Sequence, residues 1–256
     1  VPAFSLARRL KAGETVFASW CMLNSPLVAE LIARAGFSAV VIDRQHGLWD
    51  EGAAIAGIAA LHHAGATAIV RVPHHDFSAA SRSLDFGAEA IIAPMINTEA
   101  DAKAFAAAAK YPPLGERSWG PHRAMTFQDK TDPVAYLREA NEGTLTLAMI
   151  ETAIALKNVD AIAAMPGIDA LFVGPYDLAT TLSGGTKQDV QAPEVEKEID
   201  RICAAAKKAG KIAGVYCRDA ERARAMAKRG FTFIMVGTEI SILREGVAAQ
   251  LKALAG

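Results

Sequence analysis

Apolar residues in this chain gather in short unbroken runs, separated by longer Ala-rich stretches in which polar positions return every three or four residues. The runs fall at residues 15–22, 38–43, 67–72, 90–96, 145–151, 170–177, 211–217 and 231–237. Each is apolar at odd and even positions alike, which predicts strands buried on both faces, as in a parallel sheet covered by helices. Capping chemistry marks the helices between them. Ser25 followed by Pro26 opens one that Gly36 closes, Asp50 opens the next and Gly65 closes it, and Gly87, Gly210 and Gly230 repeat the closing signal. Eight such alternations predict an α/β fold, a (β/α)8 TIM barrel forming a single catalytic domain over 1–256. An open doubly wound sheet fits less well, because residues 19–24 after the first strand read Ser-Trp-Cys-Met-Leu-Asn and lack the G-x-G-x-x-G turn.

One connection is too long for the pattern. Residues 111–126, rich in aromatic and basic side chains, precede a helix predicted over 133–141. Long loops in barrels serve as lids, binding surfaces or interfaces, and the apolar surroundings of Trp119 favour an interface.

Composition narrows the partners. With 52% hydrophobic residues a chain of 256 can bury a sizeable core. Lys and Arg number 27 against 28 Asp and Glu, so the net charge of -1 offers no field for nucleic acid or an anionic membrane, and small molecules are the expected partners. Cys21, Cys203 and Cys217 lack C-x-x-C spacing, which argues against a disulfide framework and a thiolate metal site. No apolar stretch reaches the roughly 18 residues of a membrane span, and the first residues lack a signal-peptide layout, so a cytoplasmic protein is expected.

The mouth formed by the strand ends is where a barrel keeps its chemistry. The polar residues predicted there are Asp43-Arg-Gln-His46, Arg71, Glu151 and Gly174-Pro175-Tyr176-Asp177. Neighbouring strands lie about 5 Å apart, so Glu151 and Asp177 at adjacent tips repel unless a shared proton or a cation relieves them. Strand alternation places Leu171, Val173, Pro175 and Asp177 on one face, from which Asp177 shares a direction with Glu151. Two carboxylates without a His or Cys pair suit Mg2+ or Mn2+, leaving room for a chelating 2-oxo acid. Either acid alone reads first as a helix cap; the pair together with Arg71 and His46 favours the metal.

His46 reads as a general base oriented by Asp43, or as a hydrogen-bonded structural histidine. Arg71 needs an anionic partner if buried, supplied by a bound oxyanion or by Asp43, Glu151 or Asp177. A helix starting after Asp177 would offer free N–H groups to a carboxylate. No lysine falls at a predicted mouth, which leaves Schiff-base chemistry without its nucleophile.

With these residues, together with Arg71-Val-Pro, Leu84-Asp-Phe-Gly-Ala88, Tyr111-Pro-Pro-Leu-Gly-Glu-Arg117, Ile150-Glu151 and Gly174-Pro-Tyr-Asp-Leu178, nearly the whole chain resembles the HpcH/HpaI family of metal-dependent pyruvate aldolases. The resemblance implies reversible cleavage of 4-hydroxy-2-oxo acids to pyruvate or hydroxypyruvate and an aldehyde. It implies that Glu151 and Asp177 hold the metal (Mg2+ or Mn2+, with Co2+ a further candidate), that His46 is the base and that Arg71 stabilises the enolate oxygen. It gives the carboxylate to the backbone of Gly174, Pro175, Tyr176 and Asp177. Asp85 would support the histidine, yet it precedes the fourth strand at the opposite rim, so contact requires a neighbouring protomer. The family also suggests an exchanged last helix, here 241–255, and a hexamer built as a trimer of dimers. Two positions depart from its pattern: Gln45 stands where Glu is common, and Met149 where some members carry a substrate-contacting Gln. Competing expectations are a citrate-lyase-like acyl-CoA lyase and a non-catalytic oxo-acid-binding barrel.

Overall fold

A computed structural model describes residues 3–255. Eight strands close in sequence order into a parallel barrel: β1 Val16–Cys21, β2 Ala39–Asp43, β3 Thr67–Arg71, β4 Ala90–Ala93, β5 Leu145–Ile150, β6 Ala170–Val173, β7 Ile212–Cys217 and β8 Phe233–Thr238. β8 returns to β1 in parallel, with Val16 opposite Phe233. The two faces of each strand divide between two apolar clusters. Val41, Ile69, Ile92, Leu147, Phe172 and Met235 fill the interior, while Val40, Ile42, Val70, Ile91, Leu171 and Val173 lie beneath the surrounding helices. Burial on both sides explains the unbroken apolar runs.

The helix signals hold locally. Ser25 Oγ accepts the Val28 N–H at 3.3 Å and Asp50 Oδ1 that of Ala53 at 2.8 Å, and the five closing glycines adopt positive φ.

The sixth run corrects its expectation. β6 stops at Val173, and Pro175–Leu182 is a helix whose first turn carries Asp177. Pro at the first helical position has no N–H to lose, so it starts the helix early. Leu171 and Val173 face the helices, so alternation along a strand is not what aims Asp177 at the mouth.

The long connection joins the helix Glu99–Ala109 to β5, by way of the helices His122–Phe127 and Pro133–Gly143. A helix-to-strand link lies at the rim opposite the mouth. There Trp119, 41% exposed, packs against Tyr111 and Tyr136. On the same rim Lys110 is fully buried, and its ammonium donates to the carbonyls of Asn141 (2.7 Å) and Thr144 (2.6 Å) and to Asp169 (2.7 Å). That one side chain ties the end of one helix to the end of another and to the start of β6. Glu89 accepts the N–H groups of Phe4 and Leu6 nearby, and burial pushes its carboxyl up to about 7.

The C-terminal helix Glu239–Leu254 buries only its first residue, and Leu243, Val247 and Leu251 point a four-residue repeat of apolar side chains into solvent. No helix among the described residues is long and apolar enough to cross a membrane.

Candidate active site

Inward parity along the strands fixes the polar residues of the mouth. Asp43 ends β2 two residues after inward Val41, and Arg71 ends β3 two residues after inward Ile69; the pair sits side by side in register. Arg71 Nε donates to Asp43 Oδ1 at 2.8 Å, and Nη2 to Oδ2. Trp20, inward on β1, adds an indole N–H to Asp43 Oδ2 at 3.1 Å, and the guanidinium lies 4.8 Å from its ring centroid. Burial pushes the Asp43 carboxyl up, but the Arg71 and Trp20 hydrogen bonds outweigh it and hold it below the usual range.

The expected Asp43–His46 pairing takes another form. Asp43 Oδ1 accepts the backbone N–H groups of Gln45 (3.0 Å) and His46 (3.3 Å), so the acid shapes the loop beneath the histidine instead of contacting its ring. In this Asx geometry the acid at the strand end satisfies the loop N–H groups two and three residues on, and its oxygens are committed there and to Arg71 and Trp20.

Glu151 follows β5 and is 2% exposed. One carboxylate oxygen accepts the Met95 N–H at 2.7 Å, a donor aimed by the left-handed conformation of Met95 (φ 56°). The other oxygen is buried without a partner. Burial first, and the Asp177 charge second, push Glu151 up to about 7. Gly174 explains how a carboxylate fits there: any Cβ would collide with that unpartnered oxygen and lie 2.9 Å from Met149.

A cavity of about 210 Å3 opens over Asp43 and Arg71, with Glu151 against Gly174 and outside its lining. Its polar lining is Asp43, His46, Arg71, Asp177 and Thr238, and its apolar lining includes Trp20, Met149, Pro175, Tyr176 and Tyr216. The helix Pro175–Leu182 has no side-chain cap, so the N–H groups of Tyr176 and Asp177 in its first turn have no intrahelical acceptor. An orphaned buried oxygen beside a second carboxylate is a donor set that fits a hard divalent cation. Among the described residues no third His, Cys, Asp or Glu joins these two acids.

The mouth thus gathers His46, Arg71, Asp43, Glu151, Gly174, Pro175, Tyr176 and Asp177. It does not gather Asp85, which ends the helix Phe77–Asp85 at the far rim and pairs with Arg117 Nη2 at 2.6 Å. No lysine lines the cavity. Sequence reasoning passed over Trp20, Tyr216 and Glu239. Trp20 and Tyr216 carried a signal as inward residues one short of a strand end, and Glu239 as an acid directly after a strand, as at Glu151.

Comparison with known proteins gives the family. The family model described as HpcH/HpaI aldolase/citrate lyase matches residues 17–245. A hydroxypyruvate/pyruvate aldolase of Rhizorhabdus wittichii is 38% identical over 94% of this chain and 96% of its own, and a 4-hydroxy-2-oxovalerate aldolase of Novosphingobium aromaticivorans is 36% identical over 98% and 94%. The crystal structure of an HpcH/HpaI aldolase from Desulfitobacterium hafniense superposes with a TM-score of 0.90 at 27% identity, covering 97% of this chain and 96% of the other. The chain belongs to the HpcH/HpaI aldolase/citrate lyase family.

Proposed function

We propose that this protein is a class II aldolase that reversibly cleaves 4-hydroxy-2-oxo acids into pyruvate or hydroxypyruvate and an aldehyde, with Mg2+ or Mn2+ held by Glu151 and Asp177. The observation that carries it is the buried Glu151 oxygen with no partner, which lies against Gly174 and feels the charges of Asp177 and Arg71, two residues that line the cavity with His46. When bound, the cation supplies Lewis acidity toward the charge that develops on the oxo acid. The substrate carboxylate meets the free N–H groups of Tyr176 and Asp177. Arg71, its Nε and Nη2 committed to Asp43, keeps Nη1 for the keto oxygen, where negative charge grows as the C3–C4 bond breaks. His46 takes the C4 hydroxyl proton through a water in cleavage, so that the aldehyde forms as the electron pair moves toward the keto group; C3 is then protonated to give the donor product. Trp20 and Tyr216 present apolar surface that limits water around these steps.

The proposal extends to assembly. Asp85 supports His46 from a neighbouring copy, and the exposed Leu243, Val247 and Leu251 belong to a helix exchanged within a hexamer. Three buried free cysteines fit a cytoplasmic enzyme. The acyl-CoA alternative has less support, because the relatives at 34–38% identity over more than nine-tenths of this chain carry aldolase names.

Deuterium exchange into the pyruvate methyl group tests the assignment. Exchange is expected to need added Mg2+ or Mn2+ and to vanish in His46→Ala; full exchange in chelator, or in that variant, overturns it. Borohydride with pyruvate is expected to trap no lysine adduct.

A further inference from the structure

The acid at the end of β8 has no part in the chemistry above. Glu239 begins the C-terminal helix, a place where acids normally sit in solvent and favour the helix dipole. Here it is 3% exposed, and one carboxylate oxygen accepts two backbone N–H groups, from Met22 at 2.6 Å and Leu23 at 2.5 Å. Those two residues follow β1 directly. The Met22 carbonyl accepts the Leu48 N–H at 2.7 Å, and the Cys21 carbonyl accepts the Trp49 indole N–H at 3.0 Å. Gly47 is pressed against the same point: a Cβ there would stand 3.0 Å from the Met22 oxygen and 3.1 Å from its Cα.

The loop that carries His46 is therefore clasped on both sides. Asp43 holds the N–H groups of Gln45 and His46, and the Met22 peptide holds Gly47 and Leu48. The His46 ring is exposed and makes no hydrogen bond among the described residues, so its place at the cavity depends on this backbone clasp. The Asp43 side is fixed by Arg71 and Trp20. The Met22 side is fixed by Glu239.

We infer that Glu239 is a positioning residue for the base: through the Met22 and Leu23 N–H groups it sets the far side of the loop that presents His46. It rests on His46 as the base proposed above. Arg71, Tyr176 and Asp177, which grip the oxo acid, lie outside the relay, so loss of Glu239 slows proton transfer without loosening donor binding.

The test compares Glu239→Ala, Glu239→Gln, His46→Ala and the Glu239→Ala/His46→Ala double variant in metal-replete full-length protein. A small misplacement of a reacting group is costly, so Glu239→Ala is expected to lower kcat by about tenfold to a hundredfold while KM for the oxo acid stays within about threefold. Glu239→Gln keeps a carbonyl acceptor for both N–H groups and is expected to restore kcat to within about threefold of the parent. The double variant is expected to be no slower than His46→Ala, because residues that act through one another are not additive. Amide exchange read by mass spectrometry is expected to rise in Glu239→Ala at 22–23 and 44–49 only. Unchanged exchange at 44–49, a parental kcat, or additive losses in the double variant overturns the inference. Raised exchange at 44–49 beside a fully active His46→Ala instead removes His46 as the base and leaves the clasp standing. If Glu239→Ala does not fold, Glu239→Asp, whose shorter arm cannot reach both N–H groups, takes its place with the same expected split.

Discussion

Two buried ionisable side chains at opposite ends of the barrel are treated in opposite ways. Lys110, at the lower rim, has all three ammonium hydrogens matched by Asn141, Thr144 and Asp169. Glu151, at the mouth, has one oxygen satisfied by Met95 and one left bare, with Asp177 adding like charge. A saturated buried charge ties elements together. A bare one raises the free energy of the empty fold and is expected to be relieved by whatever binds there. In this pair the saturated charge sits at the end that holds the barrel together and the bare one at the mouth; a bare atom alone does not mark the mouth, since Arg117 Nε and Nη1 at the lower rim and the second Glu239 oxygen also lack partners.

The largest expected effect breaks this contrast at Glu151. Glu151→Gln is expected to cut kcat/KM by about a thousandfold or more, by removing one of two protein carboxylates offered to the cation. The same change is expected to raise the Tm of metal-free protein. The sign follows from the raised carboxyl: folded Glu151 titrates near 7 and the unfolded chain near 4.5, so the parent loses stability as pH rises through that window. The gain from Gln is therefore largest above pH 7, at most about 3 kcal/mol, and absent below pH 4.5. Thermal melts in chelator across pH, beside steady-state cleavage, check both halves; a Tm that falls at pH 8 would mean the carboxylate was not a burden.

Lys110→Met is the converse. It strands two buried carbonyls and part of Asp169, and is expected to destabilise the fold by about 3 kcal/mol. Turnover per folded molecule is expected to stay within about twofold, since the change lies at the non-catalytic rim. Denaturant melts paired with active-site titration check it, and a variant that melts normally but turns over slowly would erase the distinction between the two ends.

How far the chain could be read without coordinates follows the same division. Strand runs and caps are local, so Ser25, Asp50 and the eight apolar runs located the barrel, and the ends of those runs located Asp43, Arg71 and Glu151. Asp177 was found for the wrong reason: Pro175 starts a helix two residues before it, and the turn of that helix, not a strand face, delivers it. The Lys110 clasp joins residues 110, 141, 144 and 169, and the Glu239 clasp joins 239 to 22 and 23. Such contacts depend on where the barrel closes, and no spacing within a segment records them.

A smaller effect tests whether the lower rim is free of strained charge. Glu89 accepts two N–H groups there, yet burial still lifts it to about 7. Its folded value again exceeds the unfolded one, so its contribution is complete below about pH 4.5 and is lost as pH rises through 7, by about 2 kcal/mol after allowance for partial exposure. Glu89→Gln is expected to flatten that slope in melts between pH 4.5 and 8. A slope unchanged in the variant would assign the loss to other groups.

The smallest expected effect asks whether the two ends meet between copies. Arg117 is fully buried, its guanidinium lies 4.5 Å from the Tyr111 ring centroid, and its bond to Asp85 leaves that acid side chain 21% exposed at the rim far from its own mouth. Gly120 keeps the space clear, since a Cβ there would lie 2.9 Å from the second Asp85 oxygen. An acid so held lies at the rim away from its own His46. Asp85→Asn is expected to lower kcat about tenfold with Tm little changed, the scale of a supporting charge and not of a proton carrier. Co-expression distinguishes support across copies from support within one. In random assemblies of His46→Ala and Asp85→Asn chains, about a quarter of sites pair an intact His46 with an intact Asp85 from its neighbour, so activity is expected to exceed the mean of the two parents. Activity equal to that mean would confine Asp85 to its own barrel, and the lower rim would then be structural throughout.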